Sequence, residues 1–211
     1  MAAVPKIKLY VDTNDPVFSK CEIIYIPVLL GGIMKACGNT APINIKNKGK
    51  WVGTERLRWA QLFNVPMKTE LPPDFPPMTL TIMRSLCALT ILHPGKEGQA
   101  ILTKALDELF KAYWVDHRKT HEKDVLSEVL GELFGKEEGG KILEMAAKEG
   151  KELLAKNTDQ AMADGAFGLP WMVATNSKGE TEGFWGVDHL ARVTEHLGLE
   201  KPKTGGWKAL L

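Results

Sequence analysis

The spacing of apolar residues divides the chain into a strand-rich start, a helical middle and a strand-rich end. Residues 6–12 alternate polar and apolar side chains, which predicts a half-buried strand. Residues 22–30 form a denser apolar run, which predicts a second strand covered on both faces. Gly31 and Gly32 are expected to end that strand.

The middle of the chain follows helical spacing. A polar basic loop is predicted at residues 46–50, followed by a helix with Thr54 as its N-cap. The four prolines in residues 71–77 predict an extended linker. Amphipathic helices are predicted over five further stretches, which are 78–92, 99–115, 124–134, 137–154 and 158–164.

The spacing of apolar residues changes again near the end of the chain. Residues 171–175 and 181–185 predict two strands joined by a tight turn that contains Gly179. Residues 187–197 predict a final helix with Asp188 in its first turn. The order β, β, helical block, ββα is typical of an α/β or α+β sheet with an all-helical insertion.

Composition narrows the class of protein. The 211 residues carry 27 Lys and Arg against 26 Asp and Glu, a net charge of +1, so we expect no electrostatic grip on nucleic acid or anionic lipid. The longest nearly apolar run, residues 23–34, is 12 residues long, whereas a membrane-spanning helix needs about 20. Without a secretory signal pattern at the start, we expect an intracellular folded protein.

The cysteines and histidines suggest no metal centre. Cys21, Cys37 and Cys87 form no CxxC pair and have no zinc-ligand spacing, so we expect reduced, mostly structural thiols. His117 and His121 have the i, i+4 spacing of metal ligands, but the basic residues around them favour a solvated helix end.

Two segments carry a resemblance to a known family. The closing unit GAFGLP at residues 165–170, followed by a ββα tail, is similar to the second half of a thioredoxin fold of the DsbA-like branch. With VLLGGIMKACGNTAP at residues 28–42, the chain resembles kappa-class glutathione transferases and the related 2-hydroxychromene-2-carboxylate isomerases. The resemblance implies an α/β fold, a thioredoxin-like mixed sheet with an all-helical insertion domain. Residues 1–53 and 165–211 would form the thioredoxin-like domain and residues 54–164 the insertion.

The resemblance breaks between the first two strands. In the family, a serine motif that activates the thiol follows the first strand and opens the first helix. Here residues 13–21 alone separate the predicted strands, whereas a parallel crossover needs a dozen residues or more. We therefore expect the first crossover helix to be missing from this sequence. Its true removal would expose a face of the sheet and force a change of strand direction. Residues 13–19 do not match the serine motif, so the catalytic residue is unknown.

Two interpretations of this break stay open. Either the functional protein contains a segment that this sequence omits, or the protein is a variant that has lost its first helix and its thiol-activating group. The cost of uncovering one face of the sheet favours the first, because domains are only about 5–15 kcal/mol stable.

The resemblance implies glutathione-binding roles for five residues. The Leu169–Pro170 bond is cis in the family, and the backbone of Leu169 would pair with the cysteine of glutathione like a short added strand. Asp188 would hold the α-amino group of the γ-glutamyl end, although by itself an Asp there is a helix cap. Asn39 would hydrogen-bond the tripeptide. Lys48 would pair with the glycine carboxylate, with neighbouring lysines leaving its register open.

The implied function is that of a glutathione-dependent transferase active in detoxification. It would lower the pKa of the thiol of its co-substrate glutathione, and the thiolate would attack a small electrophile in an apolar pocket roofed by the helical insertion. The alternatives are a glutathione-dependent isomerase, a protein that binds glutathione or a conjugate without turnover, and a structural subunit of a hetero-oligomer. The resemblance also implies a homodimer. For the compartment we favour the cytoplasm, with mitochondria and peroxisomes as alternatives.

Overall fold

Four strands form one mixed sheet. The computed structural model describes Val4 and residues 6–11 and 21–199, and the structural statements below concern these residues. The strand order is β2-β1-β3-β4, in which β1 is parallel to β2 and antiparallel to β3, and β4 is antiparallel to β3. The strands are β1 Lys6–Val11, β2 Glu22–Pro27, β3 Trp171–Thr175 and β4 Thr181–Trp185. The mixed α/β sheet expected from the sequence is confirmed.

The parallel pairing of β1 and β2 contradicts the expected change of strand direction. Residues 12–21 join the two strands, and residues 12–20 lie outside the described residues. A return along the six-residue strand β1 covers about 20 Å, whereas ten extended residues can span roughly 33 Å. The connection is therefore long enough for a parallel pair, and the expectation was wrong because it equated a crossover with a helix.

The second strand is shorter and less covered than its apolar run predicts. β2 lies at the edge of the sheet, and Ile24 is 36% exposed, so it is not covered on both faces. The run continues into helix α1 (Leu30–Ala36), and Gly31 and Gly32 lie inside this helix instead of ending a strand. The Leu29 N–H donates to Thr158 Oγ1 at 3.1 Å, a long-range contact that local periodicity does not contain.

Seven further α-helices and two 3₁₀ turns follow α1 in the described part of the chain. The helices are α2 Lys48–Leu62, α3 Leu80–Leu92, α4 Gly95–Trp114, α5 Lys123–Phe134, α6 Lys136–Ala146, α7 Glu149–Ala163 and α8 Leu190–His196. The 3₁₀ turns are Pro42–Asn44 and Val187–His189.

Helix α2 starts earlier than the sequence predicts. It begins at Lys48, directly after Asn47 in a left-handed conformation (φ 70°), so the predicted basic loop is partly helical. Thr54 is not an N-cap, because its hydroxyl donates to the Lys50 carbonyl one turn earlier, at 3.2 Å. None of the fifteen residues of α2 is fully buried.

The sheet packs on both faces. On one face Ile7, Leu9 and Met172 join the main hydrophobic core with the long helices of the middle of the chain. On the other face Trp171 and Val173 join a smaller cluster, which also contains Val28, Ile33, Ala161 and Ala166. The alternation predicted for β1 is confirmed, with Ile7 and Leu9 buried. The division into two domains stays a prediction. None of the described helices is both long and apolar enough to cross a membrane.

Candidate functional site

The segment that precedes β3 is anchored on both sides of Leu169. The side-chain amide of Asn39 donates from Nδ2 to the Phe167 carbonyl at 3.1 Å, and the Gly186 N–H donates to the Pro170 carbonyl at 3.0 Å. The Leu169–Pro170 peptide is cis. Within the described residues, the N–H and C=O of Leu169 have no hydrogen-bond partner. The loop therefore offers one free backbone donor and one free acceptor, the groups that an extended peptide needs for strand addition.

Asn39 reaches this loop from the end of α1. Its Oδ1 accepts from the Thr40 N–H at 3.0 Å while its Nδ2 holds the Phe167 carbonyl. Both ends of the amide thus have protein partners, with one N–H of the amide group left over. The structure places Asn39 against the Leu169 loop, where its side chain supports the Phe167 carbonyl. A direct bond from Asn39 to a tripeptide stays a prediction.

Asp188 lies in the 3₁₀ turn Val187–His189, directly after Gly186, whose N–H anchors the Pro170 carbonyl. Its carboxylate folds back over Gly186, where an added Cβ would collide with Asp188 Oδ1. Gly186 has φ 87° and ψ 151°, a conformation almost restricted to glycine. The carboxylate lies 3.4 Å from His189 Nδ1 and keeps 60% of its side-chain surface exposed. It is therefore accessible to a positively charged ligand group.

Lys48 is the first residue of α2 and its side chain is exposed. Within the described residues it makes no ion pair, and no hydrogen bond connects it to Leu169, Pro170 or Asp188. Asn39 thus contacts the Leu169–Pro170 loop through a hydrogen bond, and Asp188 lies two residues after Gly186, whose N–H donates to the Pro170 carbonyl. The structure does not join Lys48 to this loop.

An aromatic cleft of about 670 Å³ opens beside this loop, between β4 and α8. Phe167 and Trp185 are 41% and 46% exposed, and their ring centroids lie 5.1 Å apart. Trp171 lies 5.6 Å from Phe167 and faces Trp185 across the β3–β4 pair. No residue of the predicted helical insertion lines this cleft, so it is not the pocket that we expected beneath the insertion.

The sequence analysis predicted no cleft at this place. The signal that could have found it is the predicted β3–β4 hairpin. Pairing residue 175 with residue 181 places Trp171 opposite Trp185, and opposite residues in a hairpin share a face of the sheet.

The polar rim of the cleft is internally paired. The Arg192 guanidinium lies 2.9 Å from the Glu195 carboxylate. His196 places Nε2 at 3.1 Å from the Ala174 carbonyl and Nδ1 at 3.3 Å from the Glu182 carboxylate. The charged groups at this rim therefore have partners of opposite charge or polarity.

Two of the three cysteines, Cys21 and Cys87, have thiols whose pKa is raised by burial. Burial raises the pKa of Cys21 to about 11, and burial, opposed by a hydrogen bond from Asn157, raises that of Cys87 to about 12. Both thiols therefore stay protonated near neutral pH. Cys37 is exposed and donates to the Ala166 carbonyl at 3.7 Å.

In the described part of the chain, no group of three or more His, Cys, Asp or Glu residues could hold a metal ion. His121 places Nδ1 at 2.9 Å from the carboxylate of Asp74, a residue of the proline-rich linker, so its partner is Asp74 and not His117.

A parallel strand pair, an antiparallel hairpin and a closing helix, with a helical block between them, define a thioredoxin-like α/β protein. The sequence profile of the DSBA-like thioredoxin domain matches residues 5–198, and the chain belongs to this family. The resemblance stated from the sequence is confirmed.

Curated relatives carry the name of the kappa class. The chain is 32% identical to rat (Rattus norvegicus) glutathione S-transferase kappa 1 over 179 residues, 82% of this chain and 76% of the relative. It is 25% identical to Caenorhabditis elegans glutathione S-transferase kappa 1 over 217 residues, 96% of this chain and 95% of the relative.

A solved structure of a 2-hydroxychromene-2-carboxylate isomerase superposes with a TM-score of 0.71 at 19% identity, covering 92% of this chain and 94% of that one. At this identity the superposition shows the fold alone.

Proposed function

We propose that the protein binds glutathione at the Leu169–Pro170 loop and acts as a glutathione-dependent transferase. The observation that carries the proposal is the free backbone of Leu169, held between the anchored carbonyls of Phe167 and Pro170. The names of the kappa-class relatives support glutathione-dependent activity in general.

We assign a partner residue to each of the three parts of the tripeptide. The cysteine of glutathione pairs through its backbone with the N–H and C=O of Leu169. The α-ammonium of the γ-glutamyl end lies against the Asp188 carboxylate, which is exposed and has no Lys or Arg partner among the described residues. Lys48 remains our candidate for the glycine carboxylate.

The transfer step needs the thiolate of glutathione. The thiol loses its proton to water, the sulfur then forms a bond to an electrophilic carbon, and the leaving group departs from that carbon with its electron pair. None of the described residues is assigned to lower the pKa of this thiol. The proposal therefore separates binding, which the described residues support, from activation.

Calorimetry tests the binding part. Glutathione is titrated into the wild-type protein and into Asp188→Asn, in parallel with glutaryl-Cys-Gly, which lacks only the α-amino group. We expect Asp188→Asn to weaken glutathione binding about tenfold and to leave the binding of the analogue nearly unchanged. The control Asp124→Asn removes an exposed carboxylate from the first turn of α5. Equal losses for both ligands in Asp188→Asn would contradict the assigned contact.

An assay with a chloronitrobenzene acceptor tests the transferase part. A glutathione-dependent rate would support it. Glutathione that binds tightly while its thiol keeps its free pKa would favour the alternative of a protein that binds without turnover. Turnover of 2-hydroxychromene-2-carboxylate without transfer would favour the isomerase.

We extend the proposal to a homodimer. Supporting it, α2 is a fifteen-residue helix without a fully buried residue in the described part of the chain. Light scattering that gives twice the chain mass of 23.3 kDa would agree with this, and a monomer mass would contradict it.

A further inference from the structure

We propose that the outer edge of β4 is a docking site for an extended segment of a partner polypeptide, which pairs with the sheet beside β4. The segment carries large apolar side chains on one face and Lys or Arg on the other. The site uses a different strand from the Leu169–Pro170 loop, which leads into β3. The proposal therefore goes beyond glutathione binding and does not depend on it.

The hydrogen-bond register turns three residues of β4 away from the sheet. At one end of the hairpin the Asn176 N–H donates to the Glu180 carbonyl, and at the other end the Gly186 N–H donates to the Pro170 carbonyl, both at 3.0 Å. Opposite residues of an antiparallel pair are alternately bonded and non-bonded, so the even-numbered residues of β4 bond to β3. The backbone N–H and C=O groups that point to the outer edge, without a partner among the described residues, are those of Thr181, Gly183 and Trp185.

The opposite edge of the sheet is closed by side chains. Gln99 of α4 accepts from the Tyr25 N–H at 2.7 Å and donates to the Tyr25 carbonyl at 3.4 Å, as a neighbouring strand would. Two residues later Pro27 has no N–H, and its carbonyl accepts from Asn157 at 3.0 Å. Proteins commonly block the strand edges that must stay unpaired. The β2 edge is blocked in this way and the β4 edge is not, which indicates that the β4 edge is used.

The aromatic cleft of about 670 Å³ runs along this open edge. Side chains alternate between the two faces of a strand, and both faces of β4 contribute to the cleft. Gly183 and Trp185 belong to the face that carries Trp171, whereas Glu182 and Phe184 belong to the face that α8 covers. A cleft lined from both faces lies beyond the edge of the strand, where an added strand would pair. The five residues of β4 give this edge a length of about 17 Å.

The two walls of the cleft select different side chains. Phe167 and Trp185 are exposed, with ring centroids 5.1 Å apart, so their wall favours large apolar side chains. On the α8 side, Glu182 and Glu195 are exposed carboxylates, and the guanidinium of Arg192 pairs with Glu195. Two carboxylates against one guanidinium favour Lys or Arg on this side. A peptide in which apolar and basic residues alternate meets both walls at once, because its side chains also alternate between faces.

Fluorescence anisotropy with a synthetic peptide tests the docking site. The probe is fluorescein-labelled Lys-Leu-Lys-Leu-Lys-Leu-Lys-amide, together with two versions that are N-methylated either on every Leu or on every Lys. In an extended strand these two sets of nitrogens point to opposite edges. We expect one version to bind about tenfold more weakly or worse and the other to stay within about threefold of the parent peptide. Equal affinities of the two versions would overturn strand pairing.

Protein variants locate the bound peptide. Thr181→Pro removes one outward N–H at the first residue of β4, a position that tolerates proline in an edge strand. Trp185→Leu removes part of the aromatic wall. Each should weaken peptide binding about fivefold or more, whereas Trp51→Leu, which changes an exposed tryptophan of α2 away from the cleft, should bind as the wild type does. Circular dichroism confirms the fold of each variant, and the N-methylation comparison uses the wild-type protein and so needs no variant to fold.

Three further outcomes would overturn the proposal. Absence of peptide binding to the wild-type protein would contradict the docking site itself. Displacement of the peptide by saturating glutathione would place the peptide on the Leu169 loop, whereas we expect no displacement. Self-association of the wild-type protein that disappears in Thr181→Pro would assign the edge to a second copy of this chain. If the peptide binds and glutathione does not, the proposed function fails and the docking site stands.

Discussion

Gly186 is where backbone conformation and the proposed ligand contact meet, so Gly186→Ala tests both. The residue has φ 87° and ψ 151°, and its N–H anchors the Pro170 carbonyl. An alanine Cβ would collide with Oδ1 of Asp188. The substitution therefore strains the backbone and also displaces the carboxylate that we assign to the γ-glutamyl ammonium.

The two effects have separate magnitudes. Forcing a non-glycine residue into this region of φ and ψ costs about 1–3 kcal/mol of folding free energy. Losing a hydrogen bond to a charged group costs a further 1.5–3 kcal/mol or so, here from binding. At about 1.4 kcal/mol per factor of ten, glutathione should bind roughly ten to a hundred times more weakly.

Gly179→Ala is the matched control. Gly179 also has a positive φ, 85°, but it lies in the β3–β4 turn and has open space around the position of a Cβ. Urea titration should show a loss of stability in both variants, whereas calorimetry should show weakened glutathione binding in Gly186→Ala alone. Equal glutathione affinities in the two folded variants would refute the assignment of Asp188.

Two further predictions concern packing and thiol chemistry. Gly150→Ala should lower the free energy of unfolding by about 1–3 kcal/mol, because the added Cβ would collide with the Arg84 carbonyl oxygen. Gly140 lies in α6 with open space around the position of a Cβ, so Gly140→Ala should raise the free energy of unfolding by up to about 1 kcal/mol. Opposite signs in urea titrations would agree with this, and equal signs would contradict it. Iodoacetamide at pH 8 should label the exposed Cys37 first, because burial raises the pKa of Cys87 to about 12 and keeps its thiolate scarce. Mass spectrometry of partly labelled protein checks the order, and faster labelling of Cys87 would oppose the reasoning.

The elements predicted best are those whose pattern is local. The sequence predicts exposed Lys6 and Lys8 alternating with buried Ile7 and Leu9, and the structure shows this alternation. The last two strands match their predicted bounds, because a turn with Gly179 and two apolar flanks leaves little choice of register.

The elements predicted worst depend on distant partners. The run after Pro27 is apolar enough for a strand or a helix, and its conformation is set in part by α7. Asn157 donates to the Pro27 carbonyl at 3.0 Å, and Thr158 accepts from the Leu29 N–H. These partners lie 130 and 129 residues away along the chain. Periodicity within a short window contains no trace of them.

The candidate site shows the same difference between local and long-range features. The resemblance directed attention to Leu169 and Asp188, but it did not contain the bond from Asn39 to the Phe167 carbonyl, which spans 128 residues. Asn39 follows α1, and the sequence analysis predicted no helix there. The aromatic cleft follows from the correctly predicted hairpin, but the expectations from the sequence did not pair Trp171 with Trp185 across it.

The supports of the Leu169 loop explain why binding and activation can be separated in this chain. Asn39 supports the loop from α1, Gly186 from the end of β4, and the Ala161 carbonyl of α7 accepts from the Ala166 N–H at 2.9 Å. All three supports lie after residue 21, so none depends on the short connection between β1 and β2. A thioredoxin-like sheet can therefore keep in place the loop that we propose to bind glutathione, without the helix and serine motif expected after its first strand. The decisive quantity is then the pKa of the bound glutathione thiol, because affinity alone would be the same in an enzyme and in a binding protein.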